Sequence, residues 1–142
     1  DAALRLLSRR EHAAAELQFK LTRRGLSDDE ASDVVGAMAQ AGWQSDERYA
    51  EMLARNRMEQ GYGPLRIRME LEAAGVDDAR IATALSELDV DWSARVLEVW
   101  RRRFKVPGNS AKEWQQQYRF LASRGFSAEQ VRSALKGSLD LD

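Results

Sequence analysis

The sequence predicts an all-α protein in which three tandem three-helix repeats form an elongated, curved body. The main observation is a short signature, in which a leucine is followed four residues later by glycine and then by an apolar residue. Its three copies are Leu21–Leu26, Leu71–Val76 and Leu121–Phe126, at a spacing of 50 residues. No alternating apolar and polar run bounded by turn residues predicts a strand. A fixed period of this size is typical of repeat proteins, which usually work as binding surfaces.

Each signature predicts a sharp corner between two helices. Gly25, Gly75 and Gly125 are expected to end a helix in the left-handed conformation, which glycine adopts without steric cost. In the resulting Schellman motif, the leucine before the glycine contacts the apolar residue after it. That apolar residue also precedes the next helix, so we expect it to pack on the first turn of that helix as a hydrophobic staple.

A capping residue follows every corner. Serine and aspartate are good N-caps, and glutamate or glutamine at the third helical position completes a capping box. The cap and the third helical residue are Ser27 and Glu30 in the first copy, Asp77 and Arg80 in the second, and Ser127 and Gln130 in the third. The second copy therefore predicts a cap without the box.

The first predicted repeat covers residues 1–44. We expect a short helix over residues 2–7, a second helix capped by Ser8 and ending near Arg24, and a third over residues 28–41. One such unit of about 45 residues buries too little apolar surface to fold alone. Neighbouring repeats must therefore share their cores.

The second predicted repeat covers residues 45–90. Its long first helix ends at Gly61-Tyr62-Gly63-Pro64, a strong turn signal. Gly63 and Pro64 are expected to shape this turn, and proline suits the first turn of the helix that follows. The third helix is predicted over residues 78–88. We expect few contacts across the joins at 44–46 and 89–91.

The third predicted repeat covers residues 91–142. Apolar residues between Trp92 and Trp100 lie on one helical stripe. The segment 106–109 breaks the chain before the next helix, and the last helix is predicted over residues 128–136, with Gly137 ending it. Nine helices result.

The composition excludes several classes of protein. The formal net charge is −1, but residues 95–136 carry ten Lys or Arg against three acids, a local balance of +7. The chain has no cysteine and one histidine, His12, which we expect at the surface or half buried. Disulfides and thiolate metal sites are therefore excluded, and a zinc site would lack ligands. The longest apolar-leaning run, residues 34–43, is too short to span a bilayer.

No catalytic motif is present. The Gly61–Pro64 segment lacks the lysine and the strand–helix context of a phosphate-binding loop. The paired carboxylates Asp28 and Asp29 are explained by the helix N-terminus, which favours negative charge. We therefore expect no enzymatic activity, no cofactor and no metal.

Two basic clusters are candidate binding residues. Four arginines flank the Gly61–Pro64 turn, where they can grip a carboxylate or phosphate, or form a solvated helix face paired with Glu59 and Glu70. These arginines are Arg55, Arg57, Arg66 and Arg68. The second cluster is Arg101–Lys105, in which Phe104, like Trp100 beside it, either stacks on bases or packs in the core.

Four stretches of the chain resemble the RecX family. They are Leu4–His12, Asp46–Ala50 with Arg57, Gly61–Ile67, and Phe120–Ser127. The likeness covers essentially the whole chain and departs from the family pattern at Gln44-Ser45. It implies three tandem three-helix repeats. It also implies a cytoplasmic regulator, without membrane association, that binds the recombinase RecA and its filament on DNA and inhibits ATP hydrolysis, strand exchange and coprotease activity, limiting filament growth.

The resemblance and the basic clusters together select the residues expected to contact the RecA filament or DNA phosphate. These are Arg9, Arg10, Arg57, Arg66, Arg101, Arg102 and Lys105. Two other hypotheses about the function remain open: a helical module that binds DNA directly, and a scaffold for another protein. No long heptad pattern predicts a coiled-coil dimer, so we expect a monomer. The net charge of −1 argues against a protein that binds DNA by itself, so we expect direct DNA binding to be weak at most.

Overall fold

The computed structural model describes residues 1–140, and within this range the regular structure consists of nine α-helices without strands. In chain order the helices are α1 Ala2–Arg9, α2 Ala14–Arg23, α3 Asp28–Gln40, α4 Asp46–Glu59, α5 Pro64–Ala73, α6 Asp78–Glu87, α7 Trp92–Arg103, α8 Ala111–Ser123 and α9 Ala128–Ser138. The all-α prediction is confirmed. The last two residues of the predicted third repeat, 141 and 142, lie outside the described residues.

The chain divides into two compact units. Unit 1 contains residues 1–54 and 70–87, and unit 2 contains residues 55–69 together with the described residues from 88 onwards. The division falls within α4 and α5, so the predicted second repeat contributes to both units. The repeat boundaries at 44/45 and 90/91 stay a prediction.

Each unit has its own apolar core. In unit 1, α1, α2 and α3 bury a cluster of small and aliphatic side chains, namely Ala3, Leu6, Leu17, Leu21, Ala31 and Val35. In unit 2, α7, α8 and α9 bury larger side chains, among them Trp100, Leu121, Phe126, Val131 and Leu135. Both sets include the residues six and ten positions after the corner glycine, which are Ala31 and Val35 in unit 1 and Val131 and Leu135 in unit 2.

The three repeated corners share one backbone geometry. The φ angles of Gly25, Gly75 and Gly125 are 104°, 83° and 97°. The N–H of the residue after each glycine donates to the carbonyl of the signature leucine, at 3.3 Å for Leu26, 3.0 Å for Val76 and 3.4 Å for Phe126. This is the Schellman bond between C″ and C3.

The caps follow the sequence pattern. Ser27 with Glu30 and Ser127 with Gln130 form reciprocal capping boxes. In the second copy the Asp77 carboxylate accepts the backbone N–H of Arg80 at 2.8 Å and also pairs with the Arg80 guanidinium. An ion pair therefore replaces the second half of the box.

Three predicted helix boundaries are wrong: the end of α1, the start of α2 and the end of α9. Ser8 is not a cap, because α1 continues to Arg9 and the Ser8 hydroxyl donates to the carbonyl of Arg5. The second helix begins only at Ala14, whose N–H is capped at 2.8 Å by Asp46, 32 residues away. Gly137 does not end the last helix, which runs to Ser138.

The join at 44–46 is more tightly held than expected. The Gln44 side chain is only 6% exposed and its amide donates to the carbonyl of His12 and to the Asp46 carboxylate. Because these bonds lie within unit 1, this join is part of its buried structure.

Candidate functional site

A backbone clasp in unit 2 joins the Gly61–Pro64 turn to the corner between α8 and α9. The N–H of Gly63 donates to the carbonyl of Arg124 at 2.8 Å, and the N–H of Leu65 donates to the carbonyl of Gly125 at 2.9 Å. Pro64, the first residue of α5, has no N–H to satisfy. The corner thus supplies acceptors at the N-terminus of α5 that a capping side chain would otherwise provide.

Close approach of the two segments explains why both contain glycine. A Cβ added at Gly63 would lie 2.5 Å from the carbonyl oxygen of Gly125. A Cβ added at Gly125 would lie 2.6 Å from the backbone nitrogen of Arg66. A Cβ atom does not approach a non-bonded backbone atom this closely, so any side chain at either position would force the clasp apart.

Beside the clasp, three arginines alternate with three aromatic rings. Arg66 and Arg124 lie 4.7 and 4.8 Å from the ring centroid of Tyr62. Arg124 and Arg103 lie 5.1 and 5.3 Å from that of Phe120. Arg103 also lies 5.1 Å from the ring of Phe104, which meets Phe120 edge to face. We call these six residues the arginine–ring ladder.

Stacking on a ring orients a guanidinium without neutralising it. Cation–π contacts at such distances contribute about 0.5–1 kcal/mol each at exposed sites. The ring occupies only the face of a guanidinium, so the N–H edges of Arg103 and Arg124 can still donate to an anion.

The α7 helix brings further arginines to the same place. Arg95, Val99, Arg102 and Arg103 follow the spacing that puts side chains on one helical face. Arg95 donates to the carbonyl of Met58 at 2.9 Å and to that of Glu59 at 3.3 Å, at the C-terminus of α4, where a positive charge is favourable. It also pairs with Glu98 at 2.8 Å.

These elements surround a cavity of about 210 Å³ in unit 2. Its charged lining consists of four arginines without a carboxylate, and Phe120, Gly61 and Val99 form part of the wall. The four are Arg95, Arg102, Arg103 and Arg124.

The residues predicted to contact a partner are not all equivalent. Arg66 belongs to the ladder and Arg102 lines the cavity. Arg57 donates to the side chain of Gln60, next to the turn. Arg101 is exposed on α7 and is not among the residues that line the cavity.

Lys105 lies two residues after the end of α7 and has a φ of 68°, a left-handed conformation that is uncommon for a residue with a side chain. It is exposed directly after the Arg101–Phe104 segment.

The two candidates in unit 1 also differ. Arg9 is exposed beside Arg5 and Arg24. Arg10 instead binds both carboxylate oxygens of Glu16, at 3.2 and 2.5 Å. Burial raises the pKa of Glu16, but the hydrogen bond and charge of Arg10, with the charge of Lys20, more than offset this and hold the pKa below its usual value.

His12 is more deeply buried than expected, with 2% exposure. Its Nδ1 lies 3.0 Å from the carbonyl of Arg10, and its Nε2 lies 3.0 Å from the Lys20 ammonium. The first contact needs a proton on Nδ1 and the second needs a lone pair on Nε2, so the ring is neutral. Burial is the main cause that lowers the pKa of His12, and the charges of Arg10 and Lys20 act in the same direction.

A second, larger cavity of about 790 Å³ lies in unit 1 along α4 and α6. Its arginines are paired with carboxylates: Arg80 with Asp77 and Glu47, and Arg48 with Glu11 outside the cavity. No group of three or more potential metal ligands occurs among residues 1–140.

Sequence reasoning missed three residues of the unit 2 cavity and ladder: Tyr62, Phe120 and Arg124. It placed Arg103 in the Arg101–Lys105 cluster but did not select it as a contact residue. Tyr62 stands in the predicted turn, Phe120 directly precedes the third signature and Arg124 lies within it, so each lies in a segment that the sequence singles out. Their juxtaposition depends on the clasp and is not a spacing signal. Trp100 packs in the core and is not available to stack on bases: it is 1% exposed, and its indole N–H donates to the side chain of Gln117.

Within the described part of the chain, no helix is both long and apolar enough to cross a membrane.

Three family models match the chain in order. They describe the first, second and third three-helix domains of RecX and match residues 1–36, 45–85 and 89–135. Among solved structures, the chain is similar to RecX from Lactobacillus salivarius, with a TM-score of 0.81, 22% identity, and coverage of 99% of this chain and 94% of the other. That likeness shows the fold.

Curated relatives show a closer similarity. The regulatory protein RecX of Chromohalobacter salexigens is 42% identical over 95% of this chain and 89% of its own length. The regulatory protein RecX of Halorhodospira halophila is 46% identical over 94% of this chain and 84% of its own length. With three domain models in order and this level of identity over almost its full length, the chain belongs to the RecX family of regulatory proteins.

Proposed function

We propose that this protein binds the recombinase RecA and its filament on single-stranded DNA, inhibits ATP hydrolysis, strand exchange and coprotease activity, and limits filament growth during recombination and the SOS response. It acts by binding, as a cytoplasmic monomer, and not by catalysis. Membership of the RecX family supports the class of activity.

The single observation that supports a particular binding surface for this function is the clasp in unit 2. Two stretches that resemble the family, Gly61–Ile67 and Phe120–Ser127, are the stretches that the clasp joins. Their side chains supply four of the six residues of the arginine–ring ladder, and Arg103 and Phe104 complete it. Arg102 extends the basic surface along α7. Such a basic surface suits an acidic protein surface or the phosphates of DNA.

Arg10 supports this assignment less well than the other candidates. Its guanidinium is held by Glu16 and by the carbonyl of Glu11, so contact with a partner would first have to break these bonds. The contact set that we propose is therefore concentrated in unit 2, with Arg57, Arg66, Arg101, Arg102 and Lys105, and includes Arg9 in unit 1.

Titration of RecA-coated single-stranded DNA with the protein tests the proposal, with ATP hydrolysis and filament length followed together. Replacing both Arg102 and Lys105 by glutamate should raise the concentration needed for half-inhibition about tenfold or more, because charge reversal turns attraction into repulsion at the contact. Helix content should not change.

The matched control replaces Arg132 and Lys136 by glutamate. Both are exposed on α9, and neither lines the unit 2 cavity. The control changes the net charge by the same amount, so it should inhibit almost as well as the natural protein. Unchanged inhibition by the Arg102/Lys105 variant would remove the basic surface of unit 2 from the mechanism.

A second candidate function is direct binding to DNA, which the local balance of +7 over residues 95–136 favours. It predicts that affinity for bare single-stranded DNA falls steeply with salt, with a logarithmic slope of about 0.7 per phosphate contact. Tight binding without RecA at physiological salt would support it, whereas binding that requires RecA would exclude it as the main activity.

A further inference from the structure

The unit 2 cavity has the composition of an anion site. Four arginines line a volume of about 210 Å³, and its lining contains no carboxylate. Concentrated positive charge is unfavourable unless solvent or a bound anion offsets it. The cavity therefore holds a strongly positive potential at the surface of the protein.

Three of the four arginines have no internal counter-ion. Arg95 pairs with Glu98, but Arg102, Arg103 and Arg124 form no ion pair with a carboxylate among residues 1–140. The remaining charge at the cavity is thus about three positive units, after the Arg95–Glu98 pair is discounted.

One donor in the cavity region is also unsatisfied. The Nε of Arg95 is buried and has no hydrogen-bond partner within the described residues, although the Nη atoms of the same group are bonded. Buried donors are normally paired with protein, water or a ligand. Arg95 therefore has one unmet hydrogen bond in the wall of the cavity.

The arginines are held in place before a ligand arrives. Arg103 stacks on Phe104 and Phe120, and Arg124 stacks on Tyr62 and Phe120. Phe120 itself packs against the core of unit 2. Because the rings restrain the guanidinium planes, binding an anion costs less side-chain entropy than it would at free surface arginines.

We propose that this cavity is a binding site for a phosphate monoester in its dianionic form. A monoester carries a charge of about −1.5 to −2 at pH 7 and presents three strong acceptor oxygens, whereas a phosphodiester carries only −1. Three unpaired guanidinium groups match the dianion in charge and offer paired N–H donors to its oxygens. The proposal does not depend on RecA, so its test is independent of the proposed function.

Binding of a short single-stranded oligonucleotide tests the site, with one form carrying a 5′-phosphate and the other a 5′-hydroxyl. Fluorescence anisotropy should show about tenfold tighter binding of the phosphorylated form, the effect expected of one set of charge-assisted hydrogen bonds. The preference should grow between about pH 5.5 and 7.5, because the second ionisation of a monoester lies near pH 6.

The variants Arg103→Gln and Arg102→Gln should each abolish most of the preference. Arg102 is exposed at the cavity, so its replacement keeps the test valid if loss of the stacked Arg103 lowers stability. The matched control is Arg119→Gln on α8, which removes the same charge beside a different surface depression lined by Trp114 and Tyr118. This control should keep the preference.

Competition with inorganic phosphate distinguishes two sources of the phosphate monoester, a small phosphate compound and the phosphorylated end of a nucleic acid. Competition by millimolar phosphate in the natural protein would assign the site to small phosphates as well as to nucleic-acid ends. An intact end preference without such competition would assign it to nucleic-acid ends. Equal affinity for the two oligonucleotides, or an equal loss of preference in Arg119→Gln, would overturn the proposal.

Discussion

The two units hold several of their arginines in different ways. In unit 1, Arg10, Arg48 and Arg80 each pair with a carboxylate. In unit 2, Arg103 and Arg124 lie over aromatic rings. A carboxylate cancels the charge of a guanidinium, whereas a ring holds it in place and leaves the charge exposed to a partner. The difference explains how a chain with a net charge of −1 presents one strongly basic surface.

The corners of the two units provide the sharpest test of this contrast. Gly125→Ala should cost about 3 kcal/mol or more, because its φ of 97° strains any side chain and the new Cβ would collide with the backbone of Arg66. Gly25→Ala should cost only about 1–2 kcal/mol, since its φ is 104° but nothing lies within 4 Å of the added Cβ.

Chemical unfolding followed by circular dichroism measures both effects. If the two alanine variants lose the same stability, the clasp between Gly63 and Gly125 contributes nothing beyond the shared left-handed conformation. That outcome would contradict the role of the clasp in holding the arginine–ring ladder.

The second largest expected difference between the units is the loss of stability at acid pH. Burial lowers the pKa of His12 in unit 1, so the folded protein binds a proton there less readily than the unfolded chain, whose histidine titrates near pH 6.5. The His12 contribution to stability is complete above about pH 6.5 and declines as the pH falls toward the lower folded pKa. The slope is at most about 1.4 kcal/mol per pH unit for one proton.

Amide hydrogen exchange at two buried leucines measures this effect separately in each unit. Between about pH 7.5 and 5.5, after correction for the intrinsic exchange rate, protection at Leu17 should fall while protection at Leu121 should not, since unit 2 has no histidine. His12→Gln serves as the control and should flatten the Leu17 profile. A profile that stays steep in this variant would locate the proton uptake at a group other than His12. Glu16 is not that group, because its pKa is lowered and it loses its stabilising effect only at more acidic pH.

Salt should produce the smallest difference. Arg48→Met removes an exposed ion pair with Glu11, worth up to about 1 kcal/mol at low salt and much less at about 1 M NaCl. Arg124→Met removes two short-range contacts with rings, worth about 1–2 kcal/mol together, and this cost should persist at high salt. Equal salt sensitivity of the two variants in thermal unfolding would mean that Arg124 acts mainly through ion pairing.

Much of the fold was predictable because its signals are local. The three corners, two capping boxes and the α5 start at Pro64 depend on residues within a few positions of one another. The misplaced ends have non-local causes: Ala14 is capped by Asp46 from 32 residues away, and the packing of α9 carries the helix through Gly137. His12 was expected near the surface, since neither its bond to Lys20 nor the Gln44 amide on its carbonyl leaves a pattern in the sequence.

The candidate site was predictable only in part. Arg66 and Arg102 were selected from their basic neighbourhoods, and Gly63 and Pro64 from the turn signal. Arg103, Arg124 and the rings of Tyr62 and Phe120 were not, because residues from three parts of the chain form the ladder. Charge counting finds basic segments, but it does not reveal which arginines have counter-ions.

By itself, then, the sequence determined the helical class, the triplicate corners and the family, because backbone conformation at glycine, serine caps and proline is decided by neighbouring atoms. Only the tertiary structure decided which charges remain available. The Gly63–Gly125 clasp brings the turn and the α8–α9 corner together. That approach places Arg66 and Arg124 over the ring of Tyr62 in unit 2, while carboxylates pair with Arg10, Arg48 and Arg80 in unit 1.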